Sequence, residues 1–289
     1  MQPPLFLSQE GIFMEIEAVF CDMDGTFLTS RKTIPAENKL VVGRLAEKGI
    51  AFIPCTGRMY TGLPDFFLNS HTVGCAICSM GATVIEFEEG RIRSIFEGGI
   101  SKEIVKNFYS CICKLDIEFD VFAHGRSYAE RRRLERIGLF SINPGMMGFI
   151  KRQRVPIDID MITFMDGLDR IERLNIYYRS VKDGKSICAL IDTIPELSYT
   201  RHDGCGLEVT SAELSKGTAL TWLCKKKGID PRRTIAFGDG ENDIAMFGVA
   251  GISVAMKNAE DLCKRNADYV SEWYCDHAGV ARFLSEKMV

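Results

Sequence analysis

Apolar positions first become regular at residue 16. Ile16 to Cys21 is a short, mostly apolar run of strand length, and a polar stretch follows it. From Ala36 to Lys48 the apolar residues fall at helical spacing. Leu40, Val41, Leu45 and Ala46 share one face, Pro35 suits the first helical position, and Gly49 ends the run. Ile50 to Cys55 is a second apolar run, and Gly74 to Ile85 reads as a further buried strand. Strand, helix, strand with nearly continuous apolar strands predicts a parallel sheet covered on both faces. Residues 1–15 have mixed character and are expected to be poorly ordered.

The same logic returns near the C-terminus. Ser215 can cap a helix to about Lys227, with Ala219, Leu220, Leu223 and Cys224 inward, three lysines in the last turn and Gly228 as the stop. A strand at Thr234–Phe237, a helix from about Asn242, a strand at Ile252–Ala255 and a helix near Ala259–Arg265 follow. The middle differs. Residues 103–115 have helical spacing, and Ile117 to Ala123 alternates like a strand with one open face. Strands at Leu174–Arg179, Leu197–His202 and Gly206–Thr210 and a helix at Lys185–Ile194 complete it, while residues 131–170 fit no single element. The predicted fold class is α/β. A parallel-sheet core from 1–86 and 204–289 is interrupted by an α+β module at 87–203.

Composition narrows the chemistry. A net charge of −3 argues against a general nucleic-acid binder. No apolar run approaches the roughly 20 residues of a membrane helix, and the N-terminus lacks a secretory pattern. The 11 cysteines are odd in number and unframed, which points to a reducing, cytoplasmic setting. Cys75 and Cys78 form a lone CxxC, but three-residue spacing on a strand sends the thiols to opposite faces, so they read as buried apolar side chains. The 4 histidines have no metal-site spacing. A metal would therefore be held by carboxylates, which suits Mg²⁺.

Four pieces sit where predicted strands end or a helix begins: Asp22-Met23-Asp24-Gly25-Thr26, Thr56-Gly57-Arg58, Ser215-Lys216-Gly217, and Gly238-Asp239-Gly240-Glu241-Asn242-Asp243. Ligands of open parallel sheets bind beyond the strands' carboxyl ends, so the pieces are expected to meet in one crevice. Asp22, Asp24, Asp239 and Asp243 would crowd negative charge and call for a cation. Thr56, Gly57 and Lys216 offer a hydroxyl, an approachable backbone and a positive charge to a phosphate. Together these are parts for phosphoryl transfer.

The set resembles the haloacid dehalogenase-like superfamily of phosphohydrolases, and most of all its Cof-type subfamily. Gly238–Met246, Ser253–Ala259, Ala267–Val270 and Gly279–Ala281 carry the C-terminal part of the likeness. The resemblance implies a Rossmann-like core with an inserted α/β cap, closing over a small phosphorylated metabolite such as a sugar phosphate or a cofactor precursor. It implies that Asp22 is the nucleophile and Asp24 the acid and base. Thr56, Gly57, Lys216 and Asn242 would bind phosphate or substrate. Asp22, the main-chain carbonyl of Asp24, and Asp239 would hold Mg²⁺, with Asp243 just behind. Met80 stands where the family often has asparagine. The expected protein is a monomer or weak dimer, without nucleic-acid or membrane partners. A phosphomutase and an idle phosphate-binding regulator are the rival readings. The basic stretch Arg126, Arg131, Arg132, Arg133 and Arg136 is a solvated face or an attractor of anionic substrate.

Overall fold

The computed structural model describes residues 5–7, 13–88, 91–140, 142, 144–202 and 204–288. The chain divides into two compact units, one of residues 1–96 with 215–289 and one of residues 97–214.

The first unit is built on an eight-stranded sheet. In spatial order its strands are Tyr269–Val270, Ile252–Ala255, Thr234–Gly238, Ala18–Asp22, Ala51–Cys55, Cys75–Cys78, Thr83–Glu88 and Arg91–Glu97. The first six run parallel, as expected from strands such as Ala18–Asp22 that are buried along their whole length. Strand order reverses between Ala18–Asp22 and Thr234–Gly238, which creates a topological switch point at their carboxyl ends. The helices Ala36–Glu47 and Lys216–Lys227 follow the predicted spans. Ser215 caps the second with a reciprocal Thr218 box, and Gly228 closes it in the left-handed conformation at φ 71°.

Three details of the core depart from expectation. Gly74–Ile85 is two antiparallel strands instead of one, because Ser79, Met80 and Gly81 all take positive φ and turn the chain back. Leu40 points to solvent, and Asn38 takes the inward place by donating to the Phe27 carbonyl and accepting from the Ala281 amide. Within the leader, Leu5–Leu7 pairs antiparallel with Phe13–Glu15, and Phe6 is fully buried against Tyr269 and Phe283. Residues 1–4 and 8–12 lie outside the described residues.

The second unit carries a six-stranded sheet in the order Arg154–Ile157, Arg126–Glu130, Ile117–Ala123, Arg173–Tyr178, Gly206–Ser211, Leu197–His202. All its pairings are antiparallel except the first. Helices Lys102–Ile112, Met161–Asp166 and Val181–Ile191 supply apolar side chains to one face. The predicted boundaries of 87–203 need correction at both ends. Strand Arg91–Glu97 extends the first unit's sheet, and Gly206–Ser211 pairs inside the second sheet, so the crossing points fall near residues 97 and 214. Ile117–Ala123 has no open face, since all seven residues are buried, Glu118 and Asp120 among them. The arginine stretch is largely neutralised within its own unit. Arg131 pairs with Asp158, Arg132 and Arg133 with Glu130, and Arg136 with Asp116. Among the described residues no helix is long and apolar enough to cross a membrane.

Candidate active site

The switch point gathers the acidic residues. Asp22 ends the strand Ala18–Asp22 and is 5% exposed, while Asp239 directly follows the neighbouring strand Thr234–Gly238. Asp243 lies one short turn later and is fully buried. Carboxylate oxygens of Asp22, Asp239 and Asp243 lie within 4.8 Å of one another. Lys216, the first residue of its helix, reaches into this group with 1% exposure. Its ammonium donates to Asp22 Oδ1 and to Asp243 Oδ1, each at 2.6 Å. The second oxygen of Asp243 accepts the amides of Asp239 at 2.9 Å and Gly240 at 3.0 Å, which shapes the loop. Asp239 Oδ1 accepts the Thr26 hydroxyl at 3.0 Å.

Glycines make this convergence possible. Gly25 has φ +92°, and a Cβ there would lie 2.2 Å from Asp239 Oδ2. Gly217 lets the Lys216 helix approach the Ala245 carbonyl, which a Cβ would meet at 2.1 Å.

The electrostatics follow from three carboxylates facing one ammonium. Burial raises the Asp22 pKa well above the usual carboxylate range; Lys216 opposes this, and Asp243 and Asp239 add to it. Burial and the charge of Asp243 push Asp239 up to about 6, against the Thr26 hydrogen bond and Lys216. Burial would lower the Lys216 pKa, but Asp22 and Asp243 outweigh it and hold the ammonium charged. The cluster thus lacks positive charge. An all-oxygen donor set of this size fits a hard divalent cation, and the carboxylates of Asp22, Asp239 and Asp243 lie close enough together to hold one.

The remaining predicted residues stand around this centre. The Asp24 carboxylate is directed to other partners, Arg58 and Lys32. Burial would raise its pKa, but its hydrogen bonds and charge pairing with Arg58 and Lys32 hold it below the usual range. Thr56 follows the strand Ala51–Cys55, is buried, and its hydroxyl accepts the Arg58 amide at 3.1 Å. Gly57 lies half-buried in the same turn. Asn242 donates to the Met80 sulfur at 3.5 Å, so the residue in the family's asparagine position is its direct neighbour. Sequence reasoning passed over Arg58 as a functional group, along with Lys32, Thr26 and Asn258. Asn258 donates to the Gly25 carbonyl at 2.7 Å and accepts the Cys275 amide, bracing the loop that follows Asp22. Arg58 and Asn258 lay inside quoted motifs, but nothing in a linear motif says which carboxylate an arginine will meet.

The sequence profile of the haloacid dehalogenase-like hydrolases matches residues 19–284. The chain belongs to this haloacid dehalogenase-like family. A Bacillus subtilis member named 5-amino-6-(5-phospho-D-ribitylamino)uracil phosphatase is 26% identical over 292 residues, covering 94% of this chain and 98% of that protein. A phosphoglycolate phosphatase of Methanobrevibacter smithii is 48% identical over 67 residues, 23% of this chain and 29% of that protein. The crystal structure of a haloacid dehalogenase-like hydrolase from Bacteroides thetaiotaomicron superposes with a TM-score of 0.77 at 22% identity, over 94% of this chain and 99% of that one. That likeness speaks for the fold, a Rossmann-like core with an inserted second domain. This family member is a hydrolase of the phosphatase kind.

Proposed function

We propose that the protein is a Mg²⁺-dependent phosphatase that hydrolyses a small phosphorylated metabolite through a phospho-aspartyl intermediate on Asp22. The observation that carries this reading is the Lys216 ammonium bound at 2.6 Å to both Asp22 and Asp243, with Asp239 in the same carboxylate group. A nucleophilic carboxylate needs a fixed orientation and positive surroundings to meet a phosphate, and Lys216 supplies both to Asp22.

Asp22 and Asp239, with the main-chain carbonyl of Asp24, would hold the cation, and Asp243 would act from behind through Lys216 and the loop amides. Bound there, Mg²⁺ supplies charge neutralisation between the carboxylates and the phosphoryl oxygens. A carboxylate oxygen of Asp22 attacks phosphorus, and the P–O bond to the leaving group breaks. Asp24 gives that oxygen a proton, and then takes one from the water that hydrolyses the aspartyl phosphate. The Thr56 hydroxyl and the Gly57 amide receive phosphoryl oxygens, and Asn242 faces substrate.

The names of the relatives support phosphate monoesters of small molecules, a ribityl-amino-uracil phosphate in one case and phosphoglycolate in another. We place this protein's substrate among sugar phosphates and cofactor-precursor phosphates. Asp22→Asn is expected to abolish phosphate release from p-nitrophenyl phosphate. EDTA is expected to do the same, with recovery on added Mg²⁺. Full activity in either test refutes the mechanism.

A further inference from the structure

Helix Ala36–Glu47 presents to solvent a short stripe that the packing of its own unit leaves uncovered. Glu37, Leu40 and Arg44 are all exposed, Leu40 to 62%. Seven residues make about two helical turns, so Glu37 and Arg44 point the same way roughly 10 Å apart, with Leu40 and Val41 between them. Among the described residues neither charge has an ion-pair partner. Lys39 is directed elsewhere, with its ammonium over the Phe66 ring at 5.9 Å. The stripe therefore reads acid, leucine, base along the helix.

Beside the stripe a groove runs between this helix and the C-terminal helix Gly279–Lys287. Leu40, Val41, Ala281 and Trp273 give it an apolar lining. Trp273 is held on two sides. The Arg282 guanidinium lies 4.5 Å from its ring centre, and its indole N–H donates to Glu286 at 3.0 Å. That wall is set before anything binds, so little ordering has to be added on association.

We infer that this face is the two-fold interface of a homodimer, in which the helix Ala36–Glu47 lies antiparallel to its copy. The charges choose the occupant and the arrangement. A parallel pairing sets Glu37 against Glu37 and Arg44 against Arg44. An antiparallel pairing about an axis between Leu40 and Val41 sets Glu37 of each copy against Arg44 of the other. It also brings Leu40 of each copy beside Val41 of the other, at the edge of that copy's groove. Glu47 then falls past the first residue of the facing helix. An order of acid, leucine and base is its own complement when reversed, and self-complementarity is what a two-fold interface requires. The stripe is short, so the dimer is reversible and forms with rising protein concentration. The inference is independent of the reaction proposed at Asp22.

Sedimentation velocity of the full chain, from low micromolar to submillimolar protein, tests it. The wild type is expected to pass from monomer to dimer across that range. Leu40→Glu acts twice across the axis and is expected to weaken the dimer by about 100-fold. Glu37→Arg sets two arginines against each other on both sides of the axis and is expected to weaken it by about 10-fold. The double variant Glu37→Arg with Arg44→Glu restores both pairs and is expected to return within about 3-fold of the wild type. All three positions are exposed, and circular dichroism checks that each variant is folded. If Leu40→Glu is unfolded, the charge reversal and its rescue carry the test. A wild type that stays monomeric throughout overturns the inference and leaves the groove to some other partner. A dimer that ignores these substitutions uses another face and also overturns it. Weakening by Glu37→Arg without rescue in the double variant overturns the antiparallel pairing.

Discussion

Replacing Glu118 by glutamine should stabilise the protein, and by more with each step from pH 5 to pH 9. Glu118 is fully buried on the strand Ile117–Ala123, and neither carboxyl oxygen has a hydrogen-bond partner among the described residues. Burial is the largest influence on it, followed by the charge of Asp120; Arg133 and Arg154 oppose, and the pKa still rises from 4.5 to about 9. Below pH 4.5 both folded and unfolded chains keep the proton, so the group costs nothing. Between 4.5 and 9 only the unfolded chain releases it, and folding stability falls by about 1.4 kcal/mol per pH unit. Above 9 both states release it and the slope ends. The accumulated cost at pH 7 is of the order of 3 kcal/mol. Glutamine keeps the shape and has no proton to lose. Urea unfolding of both proteins at pH 5, 7 and 9, followed by far-ultraviolet circular dichroism, measures the difference. Tryptophan fluorescence is a poor probe, because Trp222 and Trp273 both belong to the other unit. A stability difference that does not change with pH refutes the reasoning.

Three further outcomes are expected. Lys216→Met leaves buried carboxylates without their ammonium, so the metal-free protein should lose about 3–5 kcal/mol in urea unfolding, with part restored by millimolar Mg²⁺. Met80→Asn should gain up to about 1 kcal/mol, since φ 59° suits asparagine better than methionine; a loss of stability would show that the Met80–Asn242 contact matters more than the backbone. Gly25→Ala forces a Cβ against Asp239 and a side chain into φ +92°, so the thermal shift produced by Mg²⁺ should shrink or vanish in that variant.

How much of this was legible in the sequence depends on the range of the interaction. The parallel strands Ala18–Asp22, Ala51–Cys55, Thr234–Gly238 and Ile252–Ala255 and the two long helices of the first unit follow from local periodicity and from punctuation at Ser215, Gly49 and Gly228, and they appear where predicted. The turn at Ser79–Gly81 was invisible because two of its three positive-φ residues are not glycine. Alternation along Ile117–Ala123 predicted a wet face, but polar partners from other strands bury it, with Arg154 on Asp120 at 2.6 Å. The motifs were expected to meet in one crevice, and Asp22, Lys216 and Asp239 do lie together. They did not reveal that Asp24 faces Arg58 and Lys32, since Arg58 stands 34 residues away on another loop and Lys32 sits in a turn with a left-handed backbone angle that its residue type does not announce. The domain boundary slipped at both ends for a related reason: a strand's sheet membership is decided by its partner, which a single run of residues does not display.

The central claim is covalent chemistry at Asp22, and peptide mass spectrometry after acid quenching tests it most directly. The protein, mixed with Mg²⁺ and excess p-nitrophenyl phosphate and stopped during turnover, should carry one phosphoryl group on the peptide spanning the loop after Ala18–Asp22, at Asp22, and Asp24→Asn should increase its amount. Steady phosphate release with no phosphoryl group on Asp22 in either protein would contradict the account.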